Sequence, residues 1–207
     1  MRHTLKSRLA SSAAVVAVVG VVLAPVAASA VTANTTINAV LSTSIGITTS
    51  GTVTLNIIPV SGGSQTTASD TVTVTTNNAT GYNLKLKDAD ATTTLTNGGN
   101  SIAASTNTTW GTPAILSNNT WGYGIASGTS GLTASSNFSA AYSALTDQTT
   151  DAHLFLGVTA TDQLLRTTAA AAGSGDVTTV WYSAKADTTK AIGTYTDTVT
   201  YTAVTNP

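Results

Sequence analysis

Few residues of this sequence have side chains that could break bonds. The chain has two histidines, and only His153, in the apolar run HLFLGV at 153–158, lies outside the N-terminal segment. A Ser-His-Asp arrangement would need this imidazole, yet the Gly-x-Ser-x-Gly pattern of a nucleophilic serine does not occur. All nine acidic residues are Asp, so carboxylates acting on a sugar bond would have to be an Asp pair. We interpret His153 as structural and predict that the protein is not an enzyme and has no catalytic residues.

Ligands for metals and cofactors are also sparse. A zinc site needs several Cys or His side chains, and the chain has no Cys. Asp88 and Asp90 could offer oxygens to calcium, but the glycine and distant glutamate of an EF-hand loop do not follow them. We interpret this pair as part of a turn. A Gly-x4-Gly-Lys-Ser/Thr phosphate loop is missing too, and we predict no metal and no cofactor.

The three tryptophans are the large anchors of the sequence. Trp121 and Trp181 lie within predicted strands, so we expect both to pack in a core. Trp110 lies beside Gly111 and close to Pro113, which indicates a loop. An exposed loop tryptophan can stack on a sugar ring or anchor a partner. Trp110 is therefore the one candidate ligand-binding residue.

Composition shows which elements must position these residues. Charged residues make up 8% of the chain, glutamate is missing, and threonine occurs 44 times. Threonine loses rotamer freedom in a helix and fits the pleated surface of a sheet. The composition therefore favours strands and argues against a coiled coil or helical bundle. A nucleic-acid partner is excluded in the same way, because the chain has no basic stripe to replace phosphate counterions.

Alternating apolar and polar residues predict strands along most of the chain. In 82–87, for example, Tyr82, Leu84 and Leu86 fall on one face. The predicted strands are 52–58, 70–76, 82–87, 121–126, 153–158, 176–186 and 194–204, separated by turns rich in Gly and Asn. We predict one all-β domain, an antiparallel β-sandwich of the immunoglobulin-like or jelly-roll-like type. Asp197 falls on the apolar face of the last strand, so we expect it near a strand end or a polar partner. The segment 160–172 is predicted to be a loop with a possible short helix.

The N-terminal segment has the features of an export signal. Residues 1–8 are basic, residues 9–27 are apolar, and Ala28-Ser29-Ala30 provides small residues for cleavage. A single membrane anchor is the alternative, but the apolar run is near the lower length limit for spanning. We predict a signal helix over 1–30 that is removed, leaving a β-sandwich domain at 31–207 with five basic and nine acidic residues and no membrane span. The expected location is extracellular, in the medium or at the cell surface.

These features favour function by contact. The first hypothesis is a secreted, non-enzymatic bacterial surface protein with a structural or adhesive role, in contact with cell wall or surface glycans. The alternative is a subunit of an extracellular fibre or surface layer that self-assembles through strand edges, with 31–50 acting as a detachable first strand. A secreted hydrolase using Asp pairs is a third. Asn-x-Ser/Thr sequons, which could carry glycans, begin at Asn34, Asn78, Asn107, Asn118 and Asn137.

Four segments carry a family resemblance. They are TTINAVLSTSIGITTSGTVTLNI (35–57), TVTVTTNNATGYNLKL (71–86), NNTWGYGI (118–125) and AKADTTKAIGTYTDTVTYTAV (184–204). The chain resembles secreted WxL-like cell-surface proteins of Gram-positive and candidate-phyla (Saccharibacteria-type) bacteria. The resemblance implies export, β-sandwich domains and, for the WxL type, non-covalent attachment to the cell wall. The three tryptophan triplets here are WGT, WGY and WYS, so the Trp-x-Leu motif itself is missing and no binding residue is carried over.

Overall fold

The computed structural model describes residues 31–127, 129–132, 138–143, 145, 149 and 151–207. The predicted signal peptide and the sequon at Asn137 lie outside these residues. Contacts between residues divide the chain into two units, Met1–Val40 and Leu41–Pro207. In the first unit, the described residues 31–40 are exposed and form no helix or strand. The strands all belong to the second unit.

The described residues form nine strands and no helix, which confirms the predicted all-β class. The strands are β1 (Ile45–Thr48), β2 (Ser64–Thr76), β3 (Tyr82–Asp88), β4 (Thr94–Asn97), β5 (Asn100–Ala104), β6 (Thr120–Gly124), β7 (Gln163–Thr167), β8 (Ala172–Ala186) and β9 (Val199–Thr205). No helix within the described residues is long and apolar enough to cross a membrane.

The strands form two sheets. Six strands follow the order β1-β2-β8-β6-β5-β4, and three follow the order β7-β3-β9. The long antiparallel pair β2–β8 runs from Ser64 opposite Ala186 to Val74 opposite Asp176. This pair forms the centre of the larger sheet, and β3 forms the centre of the smaller one.

Alternation in the sequence sets the buried face of each central strand. In β3, Tyr82, Leu84 and Leu86 are fully buried, while Asn83, Lys85 and Lys87 are half-buried. In β2, Val72 and Val74 are buried, as the alternation predicts. The apolar faces of both sheets contribute to one hydrophobic core.

Two polar networks connect the two sheets through this core. The tyrosine network consists of Tyr182 on β8, Tyr201 on β9 and Asp70 on β2: the two hydroxyl oxygens are 2.6 Å apart, and Tyr201 also hydrogen-bonds Asp70. In the arginine network, Asp176 of β8 accepts a hydrogen bond from Tyr82 of β3 and forms an ion pair with Arg166 of β7. The two sheets are thus joined by partly buried polar bonds as well as by apolar contacts.

One segment differs in type from the sequence prediction. The predicted loop with a possible short helix at 160–172 contains strand β7, so that prediction is wrong. β7 pairs antiparallel with β3, and this ladder overrides the local helix propensity. Leu165 and Arg166 are adjacent and both buried, and the other residues of β7 are half-buried. Burial therefore does not alternate along β7, which is why its sequence carries only a weak period-2 signal.

Other segments differ in extent or direction. The alternation predicted for 52–58 occurs as a burial pattern, but the segment has no strand ladder. Its carbonyl groups accept side-chain bonds instead: Thr66 Oγ1 donates to Asn56 at 2.6 Å, and Ser64 donates to Ile58. The run 153–158 forms only isolated bridges, and the last strand begins at Val199 instead of 194.

One strand pair departs from the predicted antiparallel arrangement. β5 and β6 run parallel, with Ala103 opposite Thr120 and Ala104 opposite Trp121. Parallel neighbours need a long connection to return the chain in the same direction. The excursion 105–119, which carries Trp110, provides that connection.

Candidate functional site

The strongest candidate site is a hollow beside the arginine network, between β7 and the start of β8. Its volume is about 430 Å³. The lining residues are Ser130, Gly131, Arg166, Thr167, Thr168, Ala169, Ala170, Ala171, Ala172, Ser174, Gly175 and Asp176. Most of the polar groups among them are hydroxyls and main-chain atoms.

Arg166 is held at the wall of this hollow by several acceptors. Its Nη1 lies 2.9 Å from Asp176 Oδ1, and the same nitrogen donates at 3.1 Å to the Val177 carbonyl and at 3.1 Å to Thr178 Oγ1. Only 7% of Arg166 is exposed. Because the guanidinium and the carboxylate neutralise each other, the hollow carries little net charge.

Tyr82 is a second hydrogen-bonding or ionic partner of Asp176, besides Arg166. Its hydroxyl donates to Asp176 Oδ2 at 3.0 Å. Burial raises the pKa of Tyr82 to about 12, and the hydrogen bond to Asp176 adds to this rise while the Arg166 charge opposes it. The hydroxyl therefore stays protonated and keeps Asp176 in place. A rigid, neutral wall with many hydroxyls suits a polar, uncharged ligand better than an ion.

Sequence reasoning missed this hollow because Arg166 lies in the segment interpreted as a loop. One feature of the sequence does point to this residue: Arg166 is the one arginine outside the N-terminal segment. An isolated arginine in a chain with so few charges usually has a buried acidic partner. The sequence gives no means of choosing Asp176 from the other aspartates.

Trp110, the candidate ligand-binding residue, lies in the connection between β5 and β6, as the loop prediction requires. The side chain is half-buried, and its ring packs edge-on against Phe138 with the centroids 5.3 Å apart. Its Nε1 is buried and has no hydrogen-bond partner among the described residues. Trp121 is buried in β6, and Trp181 of β8 stacks on Tyr142, so both pack as predicted. The Trp110 ring is thus partly packed and partly exposed, and its role in ligand binding stays a prediction.

His153 pairs with an aspartate that the sequence analysis did not select. Asp151 Oδ1 contacts His153 Nδ1 and also accepts the His153 N–H at 3.0 Å. The other carboxylate oxygen of Asp151 accepts a 2.6 Å bond from the buried Gln65 amide. Ser139 lines the same shallow surface as His153, but its hydroxyl accepts the Leu154 N–H at 2.9 Å. The Asp-x-His spacing places both side chains on one side of the chain. Asp151 holds the His153 ring with one carboxylate oxygen and binds this segment to β2 with the other.

A third polar cluster lies where β3 ends and β9 begins. Asp88 is the last residue of β3, and Asp197 lies two residues before β9, which confirms the expectation of a strand end. Asp90 lies in the turn after β3, as predicted, whereas the turn prediction is wrong for Asp88, which still pairs with β9 as a strand residue. No group of three or more His, Cys, Asp or Glu side chains in the described part of the chain is arranged to hold a metal ion.

An exposed apolar segment precedes β1. Val31, Ile37, Val40 and Leu41 are between 81% and 94% exposed. Val31, Ile37 and Leu41 share one parity with Ala33 and Ala39, so one side of an extended segment 31–41 would be largely apolar.

Comparison with known proteins adds no family to this description. No protein-family model, no curated protein and no solved structure matches the chain.

Proposed function

We propose that the chain is an exported, non-enzymatic surface protein that binds glycans of the cell wall or of another cell surface. The basic, apolar and small-residue order of residues 1–30 supports export. The observation that carries the binding role is the neutral hollow beside the arginine network, which is lined by Ser130, Thr167, Thr168 and Ser174. The hydroxyls of Thr167 and Thr168 bond to β3, so the ligand-binding hydroxyls would be those of Ser130 and Ser174. Hydroxyl and main-chain groups can exchange hydrogen bonds with sugar hydroxyls, and a compensated charge imposes no ionic partner.

A binding measurement with a filled hollow tests this proposal. Ser174 is exposed and lines the hollow, so Ser174→Tyr would occupy it without removing a buried group. Thr188→Tyr places the same side chain on the exposed turn after β8 and serves as the matched control. The chain from Val31 onwards would be incubated with purified cell-wall polysaccharide, and the retained fraction measured. We expect the unmodified chain and Thr188→Tyr to be retained and Ser174→Tyr to lose at least about tenfold in affinity, or about 1.4 kcal/mol.

Two results would contradict the proposal. Equal retention of Ser174→Tyr and the unmodified chain would show that the hollow is not the binding site. If no wall polysaccharide or surface glycan retained the unmodified chain, the adhesive role would be wrong.

We also propose that the two sheets form one β-sandwich of the immunoglobulin-like or jelly-roll-like type. The tyrosine network supports this, because it brings a side chain of β8 and a side chain of β9 together inside the core. Nuclear Overhauser effects between the rings of Tyr182 and Tyr201 would test it. Their absence in a folded sample would contradict a face-to-face packing.

A second candidate function is a subunit of a fibre or surface layer, favoured by the exposed alternation of 31–41. An apolar face that the chain leaves in solvent can be covered by adding the segment as a strand to the sheet edge of a second copy. Light scattering at high concentration would compare Ile37→Asp with Asn38→Asp, which adds the same charge to the other side of the segment. Assembly that Ile37→Asp abolishes and Asn38→Asp retains supports this function, and a monomer at all concentrations contradicts it.

A further inference from the structure

Strand pairing brings two aspartates together at one end of the smaller sheet. In the β3–β9 ladder, Asp88 lies opposite Val199. The pairing continues past the ladder, because the Ala89 N–H donates to the Thr198 carbonyl at 2.9 Å. This bond brings Asp197 toward the end of β3, where its carboxyl group lies within hydrogen-bonding reach of the Asp88 carboxyl group.

Each of these two carboxyl groups has one oxygen that lacks a hydrogen-bond donor within the part of the chain that the structure describes. Asp88 is 1% exposed, and its Oδ1 accepts the Asp90 N–H at 2.9 Å. Asp197 Oδ1 accepts the Thr198 N–H at 2.7 Å. The remaining Oδ2 atom of each carboxyl group is buried and has no donor among the described residues. Two ionised carboxylates can only accept hydrogen bonds, so they cannot satisfy each other.

We propose that Asp88 and Asp197 share one proton and form an acid-strengthened clasp between the end of β3 and the start of β9. One carboxylic acid O–H then donates to the other carboxylate, and both buried oxygens are satisfied by a single charge-assisted bond. The clasp is independent of the proposed glycan binding, because it lies on other residues.

The surrounding charges favour the shared proton. Asp197 is faced by Asp88 from β3 and by Asp90 from the turn that follows, and both are acidic. Burial raises the pKa of Asp197 to about 6, the two neighbouring carboxylates add to the rise, and the Thr198 N–H opposes it. A proton placed between Asp88 and Asp197 removes one of these unfavourable charges.

The sign of the pH dependence follows from this raised pKa. The folded chain holds the proton more tightly than the unfolded chain, whose aspartate has its ordinary pKa of 3.8. Stability from the clasp is therefore complete below about pH 4, falls as the pH rises toward about 6, and stays low above that.

A divalent cation is the competing way to satisfy the two oxygens. Calcium prefers six to eight oxygen ligands, whereas this place offers two free carboxylate oxygens. The proton requires only those two, which is why the geometry favours it.

Thermal unfolding between pH 4 and pH 7.5, in a chelating buffer, tests the clasp. The variant Asp197→Asn carries an amide that can donate to Asp88 at every pH, so we expect its Tm to lose the decline between pH 4 and pH 6.5 that the unmodified chain shows. Asp162→Asn is the control, because Asp162 forms a surface pair with Lys85 at 3.3 Å and is 40% exposed. It should keep the decline.

A second measurement covers the case in which Asp197→Asn does not fold. Carbon-13 NMR of the unmodified chain would follow the Asp197 carboxyl carbon, whose titration midpoint we expect near pH 6. A midpoint near the ordinary value, or an undiminished Tm decline in a folded Asp197→Asn, would overturn the proposal. So would calcium that raises the Tm of the unmodified chain at pH 7 and leaves that of Asp197→Asn unchanged, since the pair would then be a cation site.

Discussion

The tyrosine network makes a quantitative prediction about how the two sheets are joined. Tyr182 is 6% exposed, and its hydroxyl oxygen lies 2.6 Å from that of Tyr201. Since Tyr201 donates its proton to the Asp70 carboxylate, Tyr182 is the donor to Tyr201. Burial raises the pKa of Tyr182 well above its usual value of 10, so this donor is never lost near neutral pH. The bonds therefore run in one direction, from β8 through β9 to β2.

The cost of breaking each bond follows from this direction. Tyr182→Phe removes one neutral hydrogen bond and should cost about 1 kcal/mol of unfolding free energy. Tyr201→Phe also removes one donor to the Asp70 carboxylate, which is 6% exposed and keeps the Ser50 N–H as its other donor, and should cost about 2–3 kcal/mol. Once Tyr201 is replaced by Phe, the Tyr182 hydroxyl has lost its hydrogen-bond partner. Replacing Tyr182 as well therefore adds little to the loss of unfolding free energy. The coupling free energy between the two positions should be about 1 kcal/mol.

Urea unfolding of the four chains, followed by tryptophan fluorescence, measures this coupling. Tyr195→Phe is the control, because the Tyr195 hydroxyl donates to the nearby Ala191 carbonyl at an exposed position. It should change stability by less than about 0.5 kcal/mol. Strictly additive losses at Tyr182 and Tyr201 would refute the reasoning, because residues that do not touch across the two sheets have no coupling.

Three further predictions concern packing. Leu84→Ala, at a fully buried position of β3, should cost about 2–5 kcal/mol in urea unfolding, and a loss below about 1 kcal/mol would contradict a packed core there. Gly157→Ala would bring its Cβ into a clash with the Ser105 carbonyl oxygen, so its Tm should fall by many degrees, whereas Gly173→Ala has open space and should be close to neutral. Similar Tm values for the two variants would contradict this close approach. Trp110→Phe should leave the circular dichroism spectrum unchanged and reduce the blue-shifted part of the tryptophan emission. A loss confined to the red-shifted part would place the Trp110 ring in water.

The central strands could be predicted from the sequence because their signal is local. In β3 and in the second half of β2, each side chain meets the core or the solvent according to its parity, so the alternation alone identifies the face. The segment 52–58 has the same alternation, with half-buried and exposed residues in turn, yet it forms no ladder. Whether a neighbouring edge offers backbone or side-chain partners is a property of the tertiary structure, and alternation contains no information about it.

Only part of the candidate site could be predicted from the sequence, for a similar reason. The expectation for Asp197 succeeded because an acidic residue on an apolar face is a local conflict that needs a special environment. The hollow at Arg166 depends on two contacts. One is the pairing of β7 with β3, which are far apart in the sequence, and the other is the ion pair of Arg166 with Asp176, which joins the two sheets. The Trp110 prediction identified a loop, but the contact with Phe138 could not be seen in the sequence.

The two polar networks also explain how a chain of repeated Thr-Val pairs can choose one register. A slip of one residue turns every apolar side chain outward and is excluded by the core. A slip of two residues, about 7 Å along a strand, preserves the alternation of DTVTVTT in β2 and of VTYTAVT in β9, so alternation alone does not exclude it.

Such a slip would separate the members of both networks, because each bond is specific to one pair of positions. It would leave a carboxylate or a guanidinium buried without its partner, which costs about 3–5 kcal/mol. That cost adds to any apolar contact that the slip loses, so the few charged residues of the two networks help to decide the pairing that the threonine-rich strands leave open. We therefore expect Asp176→Asn and Asp70→Asn to broaden the NMR resonances of β8 more than an equally destabilising core variant such as Leu84→Ala. Sharp spectra for both Asp variants at matched stability would show that the register is fixed by the apolar core alone.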